Sequence, residues 1–200
     1  MMENDAYLTI TSLGEGVYKE KGSKFYGFAF PVKDEVAVKH HIHELKKKYY
    51  DARHYCYAFM IGKSGSFYRA GDDGEPANSA GAPILGQIRS RNLSDVLVVV
   101  VRYFGGTKLG VPGLINAYKT SAALALDNAE IETVYTKKLL SFYFKYEEMN
   151  EVMRWVKEFN MEVISQSYTE NCVLQVRLRD SYFQTLLQRA KSFPTIKIEE

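Results

Sequence analysis

No run of apolar residues in this 200-residue chain approaches the length of a membrane span. The opening Met1-Met2-Glu3-Asn4-Asp5 is acidic and lacks the apolar stretch of a signal peptide. There are only two cysteines, Cys56 and Cys172, and no C-x-x-C spacing for zinc or redox work. Charge of neither sign dominates. The net charge is +2, so any affinity for nucleic acid must come from a local patch, because binding scales with the phosphates actually neutralised. There is no G-x-G-x-x-G, no G-x-S-x-G elbow, no internal repeat and no low-complexity tract. These absences point to the cytoplasm and to reduced thiols, with no membrane partner.

What is present is enough for a packed core: 46% hydrophobic residues against 25% charged ones. The most apolar stretch, Val96-Leu-Val-Val-Val-Val101, reads as a strand buried on both faces. It runs into Arg102, Tyr103 and Phe104, then into a loop holding Gly105, Gly106 and Gly110, then into a helix beginning near Pro112, with Gly113 close to its start. A buried strand that feeds a glycine-rich loop and a helix N-terminus is suited to anions, because free N–H groups and the helix dipole point at the loop. Arg102 and Lys108 add formal charge there. The spacing from Gly105 to Gly110 matches the first half of a phosphate-binding loop, but Val111-Pro112 replaces the Lys and Ser/Thr of its second half. A tight turn built from glycine for packing alone is the competing account.

Earlier in the chain, Tyr7–Ile10, Gly16–Glu20 and Ser23–Pro31 have strand character, with a turn at Lys21-Gly22. Asp34 caps a helix to about Tyr50, with Val38, Ile42, Leu45 and Tyr49 as its core stripe. His40 and His43 share the other face among lysines, which makes a solvated basic face rather than a metal site. His54–Ile61 alternates as a strand, followed by a hairpin turn and a return strand over Ser66–Ala70. His54 and Cys56 share a face, but a cysteine within a strand is usually packing. Ser79 or Asn78 can cap the next helix, near Ala80 to Arg91.

Asp72, Asp73 and Glu75, followed by Pro76, form the one carboxylate cluster in a loop. Such acids can bind a divalent ion, serve as a general base, or fix the turn through backbone N–H groups. Asp72 or Glu75 can also pair with Arg102 or Lys108 if the two loops meet. Pairing or loop fixing is favoured over a metal. Aromatics interleaved with bases at Tyr68-Arg69, Arg102-Tyr103-Phe104 and Tyr118-Lys119 suit base stacking with phosphate contacts, although tyrosines of this kind are also common in cores.

Beyond a boundary at Glu130–Thr136, the order is a strand over Leu139–Lys145, a helix over Glu147–Phe159, strands over Met161–Tyr168 and Asn171–Leu178, a helix from Asp180 to about Ser192, and a last strand over Thr195–Ile198. That is the split βαβ arrangement, β-α-β-β-α-β. The chain is therefore expected to be α+β, with two two-layer α/β domains over residues 1–132 and 133–200.

Three segments together, Asp72-Asp-Gly-Glu-Pro76, Ala80-Gly-Ala-Pro-Ile-Leu85 and Arg102-Tyr-Phe-Gly-Gly-Thr-Lys-Leu-Gly110, resemble the YigZ/IMPACT family, and their order and the tail beyond them match along nearly the whole chain. The resemblance implies a first domain like one found in a small-subunit ribosomal protein. It implies a second, ferredoxin-like domain like the end domain of elongation factor G. Eukaryotic relatives are translational regulators acting through protein partners, and bacterial relatives are proposed to bind nucleic acid. Some carry a proline-dipeptidase label, for which this sequence offers no set of metal ligands. Two departures stand out. Asn78-Ser79-Ala80-Gly81 replaces a usual Gly-Thr-Ala-Gly, and after Gly110 Pro112 stands for a glycine and Asn116 for an arginine.

The function expected is that of a cytosolic, translation-linked regulatory protein, a binding module rather than an enzyme. It would bind RNA, the ribosome or another anionic ligand through Arg102, Tyr103, Gly105, Gly106, Lys108, Gly110 and Gly113, without a cofactor or metal, or else a protein partner in translation control. The alternative is a metal-dependent hydrolase of nucleotides or Xaa-Pro dipeptides using Asp72, Asp73 and Glu75.

Overall fold

The structure, a computed structural model, describes residues 5–168 and 172–200. The chain divides into two compact units, one over Tyr7–Val134, the other over Tyr135–Glu200 together with Asp5 and Ala6. No helix among the described residues is long and apolar enough to cross a membrane.

β1 (Ala6–Ile10), in the first unit from Tyr7 on, pairs with β7 (Ile131–Tyr135), in that unit to Val134, in a two-stranded ribbon. The main sheet has five strands: β2 (Gly14–Glu20), β3 (Ser23–Pro31), β4 (His54–Ile61), β5 (Phe67–Gly71) and β6 (Val96–Tyr103), in the order β2-β3-β6-β4-β5. Every pairing in it is antiparallel. Lys21 and Gly22, both with positive φ, make the two-residue turn between β2 and β3.

The apolar run of β6 explains why this strand is central. Val96, Val98 and Val100 pack into one core beneath helices α2 (Gly81–Ser90) and α3 (Gly110–Asp127). Leu97, Val99 and Val101 pack into a second core with Val38 and Leu45 of α1 (Glu35–Lys48). Helices thus cover both faces of the sheet, one layer more than the two expected here. A strand apolar on both faces requires cover on both. The alternation in β3 and β4 serves the same division: Phe25, Ala29, Cys56 and Ala58 face one core, and Phe28, Tyr55 and Phe59 the other.

Asp34 caps α1 as its sequence predicts, its carboxylate accepting from Ala37 N at 2.8 Å. Neither Asn78 nor Ser79 caps α2. The Ser79 hydroxyl instead donates to the Pro76 carbonyl at 2.6 Å.

The second unit contains β8 (Lys137–Phe144), a short 3-10 turn, α4 (Met149–Glu158), β9 (Glu162–Tyr168), β10 (Cys172–Arg179), α5 (Asp180–Ala190) and β11 (Lys197–Glu199). Its sheet order is β11-β8-β10-β9, the ferredoxin-like arrangement of a βαββαβ chain. The turn expected between β9 and β10, with Asn171, lies outside the described residues. Trp155 and Phe142 are fully buried between sheet and helices. Asp180 is the first helical residue of α5 rather than its cap. The free Ser181 N–H at that helix end donates instead to the Asp5 carboxylate at 3.1 Å. Arg179 holds both Asp5 oxygens at 3.0 and 3.2 Å. These charge-assisted bonds keep the Asp5 carboxyl well below the usual carboxylate range.

Candidate functional site: a cleft over a buried ion pair

The loop after β5 turns sharply at Asp73 and Gly74, whose φ angles are 41° and 88°. Glu75 N donates back to the Asp72 carbonyl at 2.9 Å to close the turn. Each of the three loop acids then meets different partners. The Asp72 carboxylate accepts from Asn78 N, Ala80 N and Gly81 N at 2.8–3.0 Å, so it is the cap of α2, reached from eight and nine residues upstream. The Asp73 carboxylate accepts from Tyr55 N at 2.7 Å. Glu75 turns inward, where its Oε1 accepts from Arg102 Nη1 at 2.5 Å and from the Tyr118 hydroxyl at 2.7 Å. The expected pairing between the two loops is therefore the Glu75–Arg102 pair. Asp72 and Asp73 do what acids do in turns: they satisfy backbone donors. Their oxygens face separate backbone groups, and among the described residues no set of three His, Cys, Asp or Glu side chains is placed to share a metal ion.

The pair is deeply buried, with side-chain exposures of 7% for Arg102 and 4% for Glu75. Arg102 is the last residue but one of the central strand, across from Phe25 on β3 and His54 on β4. Its guanidinium lies 5.4 Å from the Phe25 ring centre and 5.7 Å from that of Phe104. Its Nε is buried with no hydrogen-bond partner. Beneath it, burial pushes the Tyr118 hydroxyl far above its ordinary range, reinforced by Cys56 and Glu75, so it stays protonated and donates. Burial likewise pushes the Cys56 thiol up, and its Sγ donates to the Asp72 carbonyl at 2.9 Å. Cys56 is therefore a packing and hydrogen-bonding group, not a thiolate paired with His54. The His54 Nδ1 instead lies 2.9 Å from the Asp73 carbonyl.

Above the pair opens a cleft of about 320 Å³. Glu75 and Arg102 form part of its lining, Pro76, Phe104, Leu109, Val111 and Leu114 supply apolar wall, and Lys108 and Gly110 complete it. Lys108 is exposed, as is Phe104 at 55%.

The glycine loop is shaped by close backbone contact. Gly105 N donates to Ser23 Oγ at 3.1 Å. Gly106 and Gly110 have φ of 88° and 71°, values that favour glycine. Gly113 packs under Leu109, where an added Cβ would come within 3.0 Å of the Leu109 Cβ. Helix α3 starts at Gly110 with no side-chain cap, and Pro112 removes one N–H from its first turn.

The sequence-predicted residues are only partly brought together. Arg102, Lys108 and Gly110 share the cleft, whereas Tyr103 does not. Adjacent residues of a strand face opposite ways, so Tyr103 lies on the α1 side, donating to the Asp51 carboxylate at 2.5 Å and meeting Tyr26 edge-on. The aromatic at the cleft is Phe104. Tyr118, which the sequence places beside a basic residue and also on the inward stripe of its helix with Leu114, Ser121 and Ala125, is the second donor to Glu75.

The fold and this site define a two-unit α+β protein whose first unit carries a cleft over a buried ion pair at the end of its central strand. The Impact N-terminal domain matches residues 21–126, which include both loops and the cleft. The chain is 31% identical over 166 residues to the IMPACT family member YvyE of Bacillus subtilis, covering 83% of this chain and 76% of that protein. It is 29% identical to the IMPACT family member YigZ of Escherichia coli, covering 71% of each. A solved structure described as that of an hypothetical protein shares the fold, with a TM-score of 0.73 at 24% identity over 97% of this chain and 96% of that one. The chain belongs to the IMPACT family.

Proposed function

We propose that this chain is a cytoplasmic binding protein of translation control that takes single-stranded RNA, free or on the ribosome, at the cleft beside the Gly105–Gly113 loop. Family membership supports a translation-related regulatory role at the level of the family. The RNA assignment rests chiefly on one observation: the buried Arg102 guanidinium, with an unpartnered Nε, lines a cleft that also holds exposed Lys108 and Phe104. A cation for phosphate, an aromatic face for a base and an underused donor beneath them are the elements of single-strand recognition.

The test is RNA affinity against salt concentration for the wild type and Lys108→Ala. Loss of one phosphate contact lowers the slope of log K against log salt by about 0.7. An unchanged affinity and slope would remove Lys108 from the site. Retention of ribosomal or other protein partners from lysate after nuclease treatment would point to a protein ligand instead.

A further inference from the structure

We propose that the cleft is a single-nucleotide pocket selective for guanine, with the base against the Glu75–Arg102 pair and the phosphate at Lys108. This rests on the RNA assignment above and names what that site would read.

On the floor of the cleft, Glu75 and Arg102 lie 2.5 Å apart and neutralise each other. An anion placed on that floor gains nothing from the pair as a unit and meets the Glu75 carboxylate at contact. A neutral group with a donor beside an acceptor gains from both. Both hydrogen bonds to Glu75 fall on Oε1, so Oε2 keeps its lone pairs. Arg102 gives one hydrogen bond, from Nη1; its Nε is shut away from the cleft, and Nη2 is the donor left to a ligand. The floor thus offers an acceptor and a donor side by side, the donor on the central strand and the acceptor on the loop that the Asp73-Gly74 turn shapes.

The walls narrow the ligand further. Phe104, Leu109, Val111 and Leu114 suit a flat apolar ring rather than a sugar or a bare phosphate. Guanine presents N1–H and N2–H to a carboxylate and its O6 to a guanidinium, while its face stacks on Phe104. Adenine and cytosine carry a ring nitrogen acceptor where guanine carries N1–H, and that acceptor would face the carboxylate; uracil has a ring N–H beside a carbonyl but lacks the second donor that guanine supplies at N2. The anionic part of the nucleotide then stays at the rim, where Lys108 is exposed and the N-terminus of α3 opens.

Calorimetric titration with GMP, IMP and AMP at one ionic strength, together with an oligoadenosine octamer carrying or lacking one central guanosine, tests this. GMP is expected to bind at least about ten-fold tighter than AMP, the scale of one well-placed bidentate contact. IMP, which lacks N2–H, falls between them, and the guanosine-bearing octamer outbinds the plain one. Lys108→Ala weakens GMP and AMP alike and leaves their ratio unchanged. Glu75→Gln brings GMP to within about two-fold of AMP. Should that variant fail to fold, the GMP, IMP, AMP ranking and a uniform loss in Phe104→Ala decide the matter. Equal affinity for GMP and AMP, with the octamers still binding in a salt-dependent way, overturns guanine selectivity and leaves the RNA assignment standing. No binding of either octamer removes both.

Discussion

Gly105 lies so close to Gly22 that a Cβ on Gly105 would come within 1.8 Å of the Gly22 carbonyl carbon and 2.1 Å of Ser23 N. The turn between β2 and β3 and the loop after β6 therefore meet backbone to backbone, at the same end of the sheet as the cleft. The obstructing atoms are main chain, which cannot swing aside as a flexible side chain would. Gly105→Ala is expected to destabilise the first unit by about 3 kcal/mol, the upper range for forced overpacking. Gly106→Ala meets no atom within 4 Å and suffers only from its positive φ. It should cost about 1 kcal/mol. Urea unfolding of both variants checks the order, and equal losses would show that contact at Gly105 is relieved by loop movement.

The Glu75–Arg102 pair makes a different demand. Removing Glu75 leaves a buried guanidinium without its counter-charge, so Glu75→Ala should cost about 3–5 kcal/mol. Replacing both partners by apolar residues removes the stranded charge along with the pair. Glu75→Leu/Arg102→Met is accordingly expected to be less destabilised than Glu75→Ala, and a double-mutant cycle measures the coupling. A double variant as unstable as the sum of its singles would mean that the two side chains act independently, Glu75 through Tyr118 and Arg102 through packing on Phe25.

The features legible in the sequence were those carried by local patterns. Six apolar residues in a row at Val96–Val101 identify the central strand, and period-two alternation in Ser23–Pro31 and His54–Ile61 assigns their faces. The tail's order of elements reads directly as βαββαβ. Capping was legible only where the cap adjoins its helix. Asp34 does. The donors at the start of α2 and α5 are met by Asp72 and Asp5, from nine and 176 residues away, and no local rule finds such caps. The site divides in the same way. Asp72–Pro76 and Arg102–Gly110 stand out as motifs, and a Glu75–Arg102 contact was one of the options left open. Which acid would turn inward depends on the Asp73-Gly74 turn, and the second donor, Tyr118, comes from a helix 43 residues on. Placing Tyr103 with Arg102 neglected the alternation that separates neighbours on a strand.

Asp95 makes the first unit sensitive to acid. Its Oδ2 accepts from Tyr7 at 2.6 Å and Lys33 at 2.9 Å, and its Oδ1 from Gly62 N at 2.8 Å. Burial alone would raise its pKa, but these bonds outweigh it and hold the carboxyl below its ordinary value of 3.8. A carboxylate whose folded pKa is depressed contributes its full stability above the unfolded pKa and loses it as pH falls through the folded one. Stability of the first unit should therefore be flat with respect to Asp95 from neutrality to about pH 5 and decline below about pH 4. Asp95→Asn should cost about 2 kcal/mol at neutral pH and flatten the acid limb of the profile. An acid limb unchanged by Asp95→Asn would assign that loss to other carboxylates.

The two cysteines offer separate reporters, one in each unit. Cys56 and Cys172 are both fully buried, in the cores of the first and second units respectively. Only the thiolate attacks an alkylating agent, and burial has pushed the Cys56 thiol up while its Sγ is held on the Asp72 carbonyl. Under native conditions Cys56 should resist iodoacetamide, slower by at least about a thousand-fold than in the unfolded chain if exposure requires unfolding of a unit of ordinary stability. Peptide-resolved mass spectrometry across a urea series then gives one exposure curve for each unit. Glu75→Ala should shift the Cys56 curve to lower urea, because it weakens the core that Cys56 reports on. The Cys172 curve follows the core around Trp155 and Phe142, and a variant within the first unit should move it less. Rapid native labelling of Cys56 would show that the Asp72–Glu75 loop opens without unfolding, since that loop is what covers the thiol through the Asp72 carbonyl.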